Sequence, residues 1–232
     1  MRSRAHAPEQ AHHTSDSRTG KRTCGFRSKL AVAVAGFGVA FGAVARTTGI
    51  GPLAATVMSG TTFAGSAQFA VVSILGAGGS EAAAVVAAIL LNARYAPIGL
   101  TVAGTLEGRW WRRLLLGQLV VDESWAIARR QDGTFDRDRL VGAGLLLYVS
   151  WLVSTAVGAL GATVLGDPQA LGLDAAFPAL FLALLWPQLR ERRAAAAATL
   201  GAAIALITLP FTPPGVPIIA ATVACALGLR SR

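Results

Sequence analysis

Residues 58–95 read MSGTTFAGSAQFAVVSILGAGGSEAAAVVAAILLNARY. The stretch is apolar enough for a membrane, yet it carries Ser59, Thr61, Thr62, Ser66, Gln68, Ser73, Asn92 and Arg94. Polar groups at membrane depth are costly and need partners, so they tend to mark a site or a pathway. Gly60 and Gly65 interrupt its first half, and residues 76–80 (GAGGS) form a loop. Two readings of that first half stand side by side. In one it is a continuous helix whose small polar residues bond to neighbouring helices. In the other it is a broken or re-entrant helix whose opened backbone lines a cavity. On an unbroken helix Ser59, Thr62, Ser66 and Ser73 share a face, with Thr61 and Gln68 roughly opposite. Arg94 lies too deep in the apolar run at about 81–102 to snorkel easily. It calls for a carboxylate or carbonyl partner, either as a substrate anchor or as half of a structural ion pair.

Outward along the chain, the partner is at hand. Asp122 and Glu123 are the only adjacent carboxylates in an apolar setting. Their segment, residues 114–128, is too short for a comfortable span. Arg109, Arg112 and Arg113 precede it, and Arg129 and Arg130 follow it. With both flanks cytoplasmic, it enters the membrane and returns, or lies along it. Gln118, Asp122 and Trp125 fall on one face if the segment is one helix.

The composition sets the frame. Of 232 residues, 53% are hydrophobic and only 14% charged, against roughly a quarter charged in soluble domains. The runs and their spacing predict an all-α polytopic helical bundle at 30–232, with six to eight membrane segments and broken or re-entrant helices among them. Further runs fall at about 30–45, 140–165, 173–189, 194–209 and 216–229. Gly38 and Gly42 in the first form G-x-x-x-G, which permits close helix approach in lipid. The net charge is +9, but the basic residues cluster between apolar runs, as the positive-inside rule expects, and not on a nucleic-acid surface. The polar residues 1–29 predict a disordered basic cytoplasmic tail. A weak inverted repeat relates Gly36–Phe69 to Gly158–Phe181, each a Gly-rich helix, a break and a second helix.

Other chemistry finds little support. Cys24 and Cys225 are badly placed for a disulfide, no metal-ligand spacing exists, and His6, His12 and His13 all lie in the tail. No cofactor is expected. A hydrolase built on Ser66 or Ser124 lacks both a histidine in the membrane and a Gly-x-Ser-x-Gly elbow. There is no Walker A pattern to suggest an ATPase.

Four stretches in order carry a family resemblance: residues 58–69 (Met-Ser through Phe-Ala-Gly-Ser-Ala-Gln-Phe), 92–95 (Asn-Ala-Arg-Tyr), 122–126 (Asp-Glu-Ser-Trp-Ala) and 172–181 (Gly-Leu-Asp-Ala-Ala-Phe-Pro-Ala-Leu-Phe). On these the chain resembles the AzlC-type permeases, the large subunit of a two-component branched-chain amino-acid exporter, from about residue 30 to the C-terminus. The family's usual Asn-Leu-Arg-His reads Asn92-Ala93-Arg94-Tyr95 here, which argues against a histidine proton relay at this point. The resemblance implies outward transport of leucine, isoleucine or valine across a bacterial cell membrane, with a cytoplasmic N-terminus and a small AzlD-type membrane subunit as partner. The residues expected to bind or pass substrate are Ser59, Thr62, Ser66, Gln68, Asn92, Arg94, Asp122 and Glu123, with Met58, Phe63 and Phe69 as candidates for an aliphatic pocket. The competing reading is a membrane scaffold or assembly subunit, in which the same polar residues only hold helices and a partner together.

Overall fold

The computed structural model describes residues 30–130, 132–165 and 188–225, with positions 179, 182, 185 and 186 between them. The N-terminal tail, most of the 173–189 run and the second half of the Gly158–Phe181 repeat lie outside the described residues. Within them the chain is all-α, with one isolated bridge between Arg129 and Phe135 and no strand. Four helical stretches are long and apolar enough to cross a membrane: Leu30–Thr47, Glu81–Val102, Arg137–Ala162 and Arg192–Phe211.

The helices are α1 (Leu30–Thr47), α2 (Pro52–Thr62), α3 (Gly65–Gly76), α4 (Glu81–Asn92), α5 (Tyr95–Val102), α6 (Trp110–Gly117), α7 (Asp122–Ala128), α8 (Arg137–Leu165), α9 (Arg192–Thr208) and α10 (Val216–Ala221). At 29 residues, α8 runs about 43 Å and outreaches a hydrocarbon core of roughly 30 Å. It is the post against which the others are set. The α1 helix meets it backbone to backbone. A Cβ on Gly42 would run into the carbonyl of Thr155, one on Gly158 into the carbonyl of Val39, and one on Gly38 into the side chain of Ser154. The G-x-x-x-G pair thus packs as expected, and Gly158 completes it from the far side.

The second apolar run is broken, and it turns back. Helix α2 ends at Thr62, Phe63 adopts a left-handed conformation (φ 39°), and α3 starts at Gly65. The far end of α3 returns to the end of α1, just before α2: a Cβ on Gly76 would sit 2.7 Å from Thr48 Cγ2. Eleven residues of α2 reach about 16 Å, half the membrane. This is a re-entrant hairpin entering from the side where α1 ends.

The 114–128 segment forms a second hairpin from the opposite side. Helix α6 is exposed along its length, with Trp110 and Trp111 uncovered among arginines, as an interfacial anchor would be. The chain breaks at 118–121, and α7 leads back to the basic loop at Arg129 and Arg130. Gln118 at the tip donates from Nε2 to the carbonyl of Thr61 at 2.8 Å, so the two hairpins meet tip to tip. Their meeting point fixes the depth of the site.

The remaining elements agree on polarity. Gly79, in the loop before α4, lies against Pro214 in the α9–α10 turn. At the other end of α4–α5, Arg113 donates to the carbonyl of Ala103 at 3.1 Å. The arginines of α6, of the loop after α7 and of the α8 start gather at one end, the clustering of basic residues that membrane proteins show in their loops. Beyond α9 the described residues of the last run form a six-residue helix followed by a 3-10 turn at Thr222–Cys225.

The core is aromatic. Phe41 from α1, Phe69 from α3 and Trp151 from α8 meet with ring centroids 5.5 to 6.4 Å apart. Such pairs add about 0.5–1.5 kcal/mol beyond their buried area.

Candidate functional site

Each break in the helices leaves backbone groups without helical partners, and the sequence supplies side chains for them. At the end of α2, the carbonyl of Gly60 accepts from Tyr148 Oη at 2.7 Å and that of Thr61 from Gln118. Beneath the break runs a buried chain. Trp151 Nε1 donates to Gln68 Oε1 at 3.0 Å, Gln68 Nε2 donates to Ser59 Oγ at 2.9 Å, and Ser59 Oγ bonds Thr155 Oγ1 at 3.1 Å. This chain ties α2, α3 and α8 together and aims the first turn of α3 at the tip of the other hairpin.

A cavity of about 70 Å³ lies where the tips meet. Phe63, Gly65 and Ser66 wall it from the α2–α3 hairpin, and Val121, Asp122 and Glu123 from the start of α7. Arg94 and Tyr95 enter from the α4–α5 junction, and Val34, Phe37, Leu147 and Trp151 from α1 and α8. The wall is thus apolar and aromatic on one side and charged on the other.

Arg94 is the hub. Its Nη2 stands 3.0 Å from Ser66 Oγ, 3.2 Å from Tyr95 Oη and 3.2 Å from Asp122 Oδ2. Its guanidinium carbon lies 5.1 Å from the centre of the Tyr95 ring. An Nη2 has two hydrogens, so three acceptors compete for two donors. Meanwhile Nε of the same side chain is buried without a hydrogen-bond partner among the described residues, as is Oδ1 of Asn92 two residues earlier. The guanidinium is over-subscribed on one edge and idle at its root. That is a poor arrangement for a finished strut and a good one for a cation that must exchange partners.

Of the expected site residues, the cavity brings together Ser66, Arg94, Asp122 and Glu123. Ser59 and Gln68 sit behind it in the buried chain, and they bond each other instead of lying on opposite faces. The one-face reading fails because the break at Phe63 reorients α3 relative to α2. Thr62 and Ser73 are exposed for the same reason. Asn92 is half-buried next to Arg94 but does not line the cavity. Gln118, Asp122 and Trp125 do not share a helix either. Gln118 caps α6 and points at Thr61, while Trp125 Nε1 donates to Thr101 Oγ1 at 2.9 Å. Of the pocket candidates, Phe63 lines the cavity, while Phe69 and Met58 belong to the core behind it.

Sequence reasoning missed Tyr95, Val34, Phe37, Leu147 and Trp151 as cavity residues. Trp151 offered one signal, since an indole N–H inside an apolar helix needs a partner. The others carry no local mark, because only the tertiary packing of α1 and α8 brings them in.

With this geometry in view, the comparisons fall into place. A protein from Archaeoglobus fulgidus, described as an uncharacterized membrane protein, is 33% identical over 187 residues, covering 79% of this chain and 82% of its own. Uncharacterized membrane proteins from two strains of Helicobacter pylori are 27% and 28% identical over 176 residues, covering 74% of this chain and 76% of theirs. No solved structure matches the chain. The profile of the family described as AzlC protein matches residues 30–165. That range takes in both hairpins and every residue that lines the cavity. The chain belongs to the AzlC family.

Proposed function

We propose that this membrane protein exports aliphatic amino acids of the leucine, isoleucine and valine class, as the large subunit of a pair with a small AzlD-type membrane protein. One observation carries the reading: a single cavity at the meeting of two hairpin tips holds a cation, two carboxylates and an apolar wall. A zwitterion with an aliphatic side chain needs those three features. The substrate carboxylate goes to Arg94, whose planar fork suits a carboxylate. The first amides of α3, at the positive end of a 12-residue helix, support it. The ammonium goes to Asp122 or Glu123, and the side chain lies against Phe37, Phe63, Leu147 and Trp151.

Arg94 and Asp122 neutralise each other at 3.2 Å. An arriving zwitterion offers each a new partner of the right sign, so the exchange strands no charge at membrane depth. The membrane is the cell membrane of the host, with the arginine-rich loops inside.

The scaffold reading draws on the same ion pair, since a strut also needs one. The Nε of Arg94 and the Oδ1 of Asn92, without partners among the described residues, favour the exporter, because a strut has no use for unfilled buried groups. Reconstituted vesicles carrying the chain with its small partner test the proposal. Leucine and valine efflux should fall by at least about tenfold in Arg94→Ala, the scale expected from losing a charged anchor. Unchanged flux at normal protein levels would remove Arg94 from the site and return the chain to the scaffold reading.

A further inference from the structure

A second cavity runs along the α5–α6 junction, lined by Tyr95, Gly99, Ala103, Leu106, Arg113, Leu114, Gly117 and Val120. It begins at the arginine-rich end of the molecule, where Arg113 holds the Ala103 carbonyl. Residue 95 lies eight positions before residue 103, so the groove reaches about 12 Å inward along the helix. Its inner end is Tyr95, and Tyr95 also walls the central cavity. The neighbouring stretch of wall is shared in the same way, with Val120 facing the groove and Val121 the cavity. Tyr95 is thus common to both walls, and the backbone passes from one wall to the other between Val120 and Val121.

We infer that Tyr95 is the gate between the central cavity and a cytoplasmic entry groove. The latch is Arg94. The tyrosine hydroxyl accepts from Nη2 at 3.2 Å, and the ring lies under the guanidinium at 5.1 Å. Ser66 and Asp122 compete for the same nitrogen, so the hydroxyl is held by a shared bond, weaker than an exclusive one. An anionic group that takes Arg94 competes with the latch directly. Between Arg113 at its mouth and Tyr95 at its inner end, the groove is lined by glycine, alanine and aliphatic side chains, a lining that passes an aliphatic side chain and meets a carboxylate first at the basic end. The inference rests on the exporter reading for what passes, but the partition between the two cavities stands without it.

Thiol labelling tests the gate without any transport. Cys24 and Cys225 are replaced by serine, and Ser66→Cys places a thiol in the central cavity. The probe is a small, charged, membrane-impermeant methanethiosulfonate applied to inside-out vesicles, so that it arrives from the cytoplasmic face. Tyr95→Ala should raise the labelling rate at Ser66→Cys by about tenfold, and Tyr95→Phe, which keeps the ring but frees the latch, by about twofold to threefold. Thr155→Cys, buried off the route in the Gln68 chain, should label no faster in Tyr95→Ala. An equal rise at Thr155→Cys would mean a loosened fold and overturn the gate. So would an unchanged rate at Ser66→Cys, the result expected if the groove holds only lipid. Leucine efflux by the protein with Ser66 and Tyr95 unchanged, together with its small partner, is a separate reading: its absence, with the Tyr95 effect on labelling intact, overturns the exporter proposal and leaves the gate standing.

Discussion

The two interrupted stretches of the 58–95 region are held open in opposite ways. Between α2 and α3 the backbone departs fully from a helix. Phe63 is left-handed, and the freed carbonyls are filled by Tyr148 and Gln118. The polar side chains beneath, Gln68 and Ser59, are buried and satisfied. Between α4 and α5 the backbone hardly departs. Ala93 and Arg94 keep helical angles, near −55° and −26° for the first and −61° and −23° for the second. There the side chains are left unsettled, with Asn92 Oδ1 and Arg94 Nε unpaired among the described residues. The lesson is a division of labour. The first break spends its polar groups on shape. The second leaves the backbone nearly regular and keeps its polar groups for exchange.

Substitutions at each break can sharpen or undo that contrast. The largest stability loss should come from Gln68→Leu, which strands the Trp151 N–H and removes a partner of Ser59 in a dry interior. About 2–4 kcal/mol is expected, read as a lower melting temperature of the detergent-solubilised protein. A melting temperature equal to that of the parent would show that the first break does not depend on its buried chain. Next comes Arg94→Met, for which the order of effects reverses. Transport should nearly vanish, while the ion pair with Asp122, its side chains 36% and 31% exposed, contributes on the order of 1 kcal/mol or less to stability. If Arg94→Met destabilises as much as Gln68→Leu, both breaks are structural and the contrast is lost.

Tyr148→Phe should cost about 1 kcal/mol, because it withdraws only the hydroxyl that caps the Gly60 carbonyl and keeps the ring against Phe63. Flux should persist. The smallest effect is expected at the surface pair Arg130–Asp136, closer at 2.7 Å than Arg94–Asp122 but set in the loop before α8. The hydrogen bond from Arg130 holds the Asp136 carboxyl below the usual carboxylate range. A depressed folded-state pKa gives a contribution that is present above the unfolded value, near 4, and fades only as the pH falls below it. Asp136→Asn should therefore leave transport unchanged and lower the neutral-pH melting temperature only slightly, and that small effect should disappear in acid. A transport defect would mean that a short ion-pair distance, and not position in the cavity, marks the functional pair.

Much of this was legible in the residues. Arg94 in an apolar run demanded a carboxylate, and Asp122 was one of two in reach. The glycines and hydroxyls of 58–69 allowed a break beside a continuous helix, and the arginine flanks of 114–128 allowed a return to the same side beside a segment lying along the membrane. What sequence periodicity misplaced was everything on the far side of a break. A face counted through Phe63 put Ser59 and Gln68 on opposite sides, yet they share a hydrogen bond. A face counted through residues 118–121 joined Gln118 to Trp125, yet each has a different partner. Helical spacing carries information only while the helix lasts. The cavity's apolar wall was hidden for another reason. Val34, Phe37 and Leu147 look like any lipid-facing or core residue until α1 and α8 are packed.

The α1–α8 seam has a mechanical consequence. Where Gly42 and Gly158 bring backbone against backbone, there are no side chains between the helices to change rotamer, and small sliding steps would meet rigid carbonyls. The two helices must travel as one body. Any working stroke that exposes the cavity first to one side and then to the other has to be made by the hairpins and by α4–α5, swinging against a welded spine.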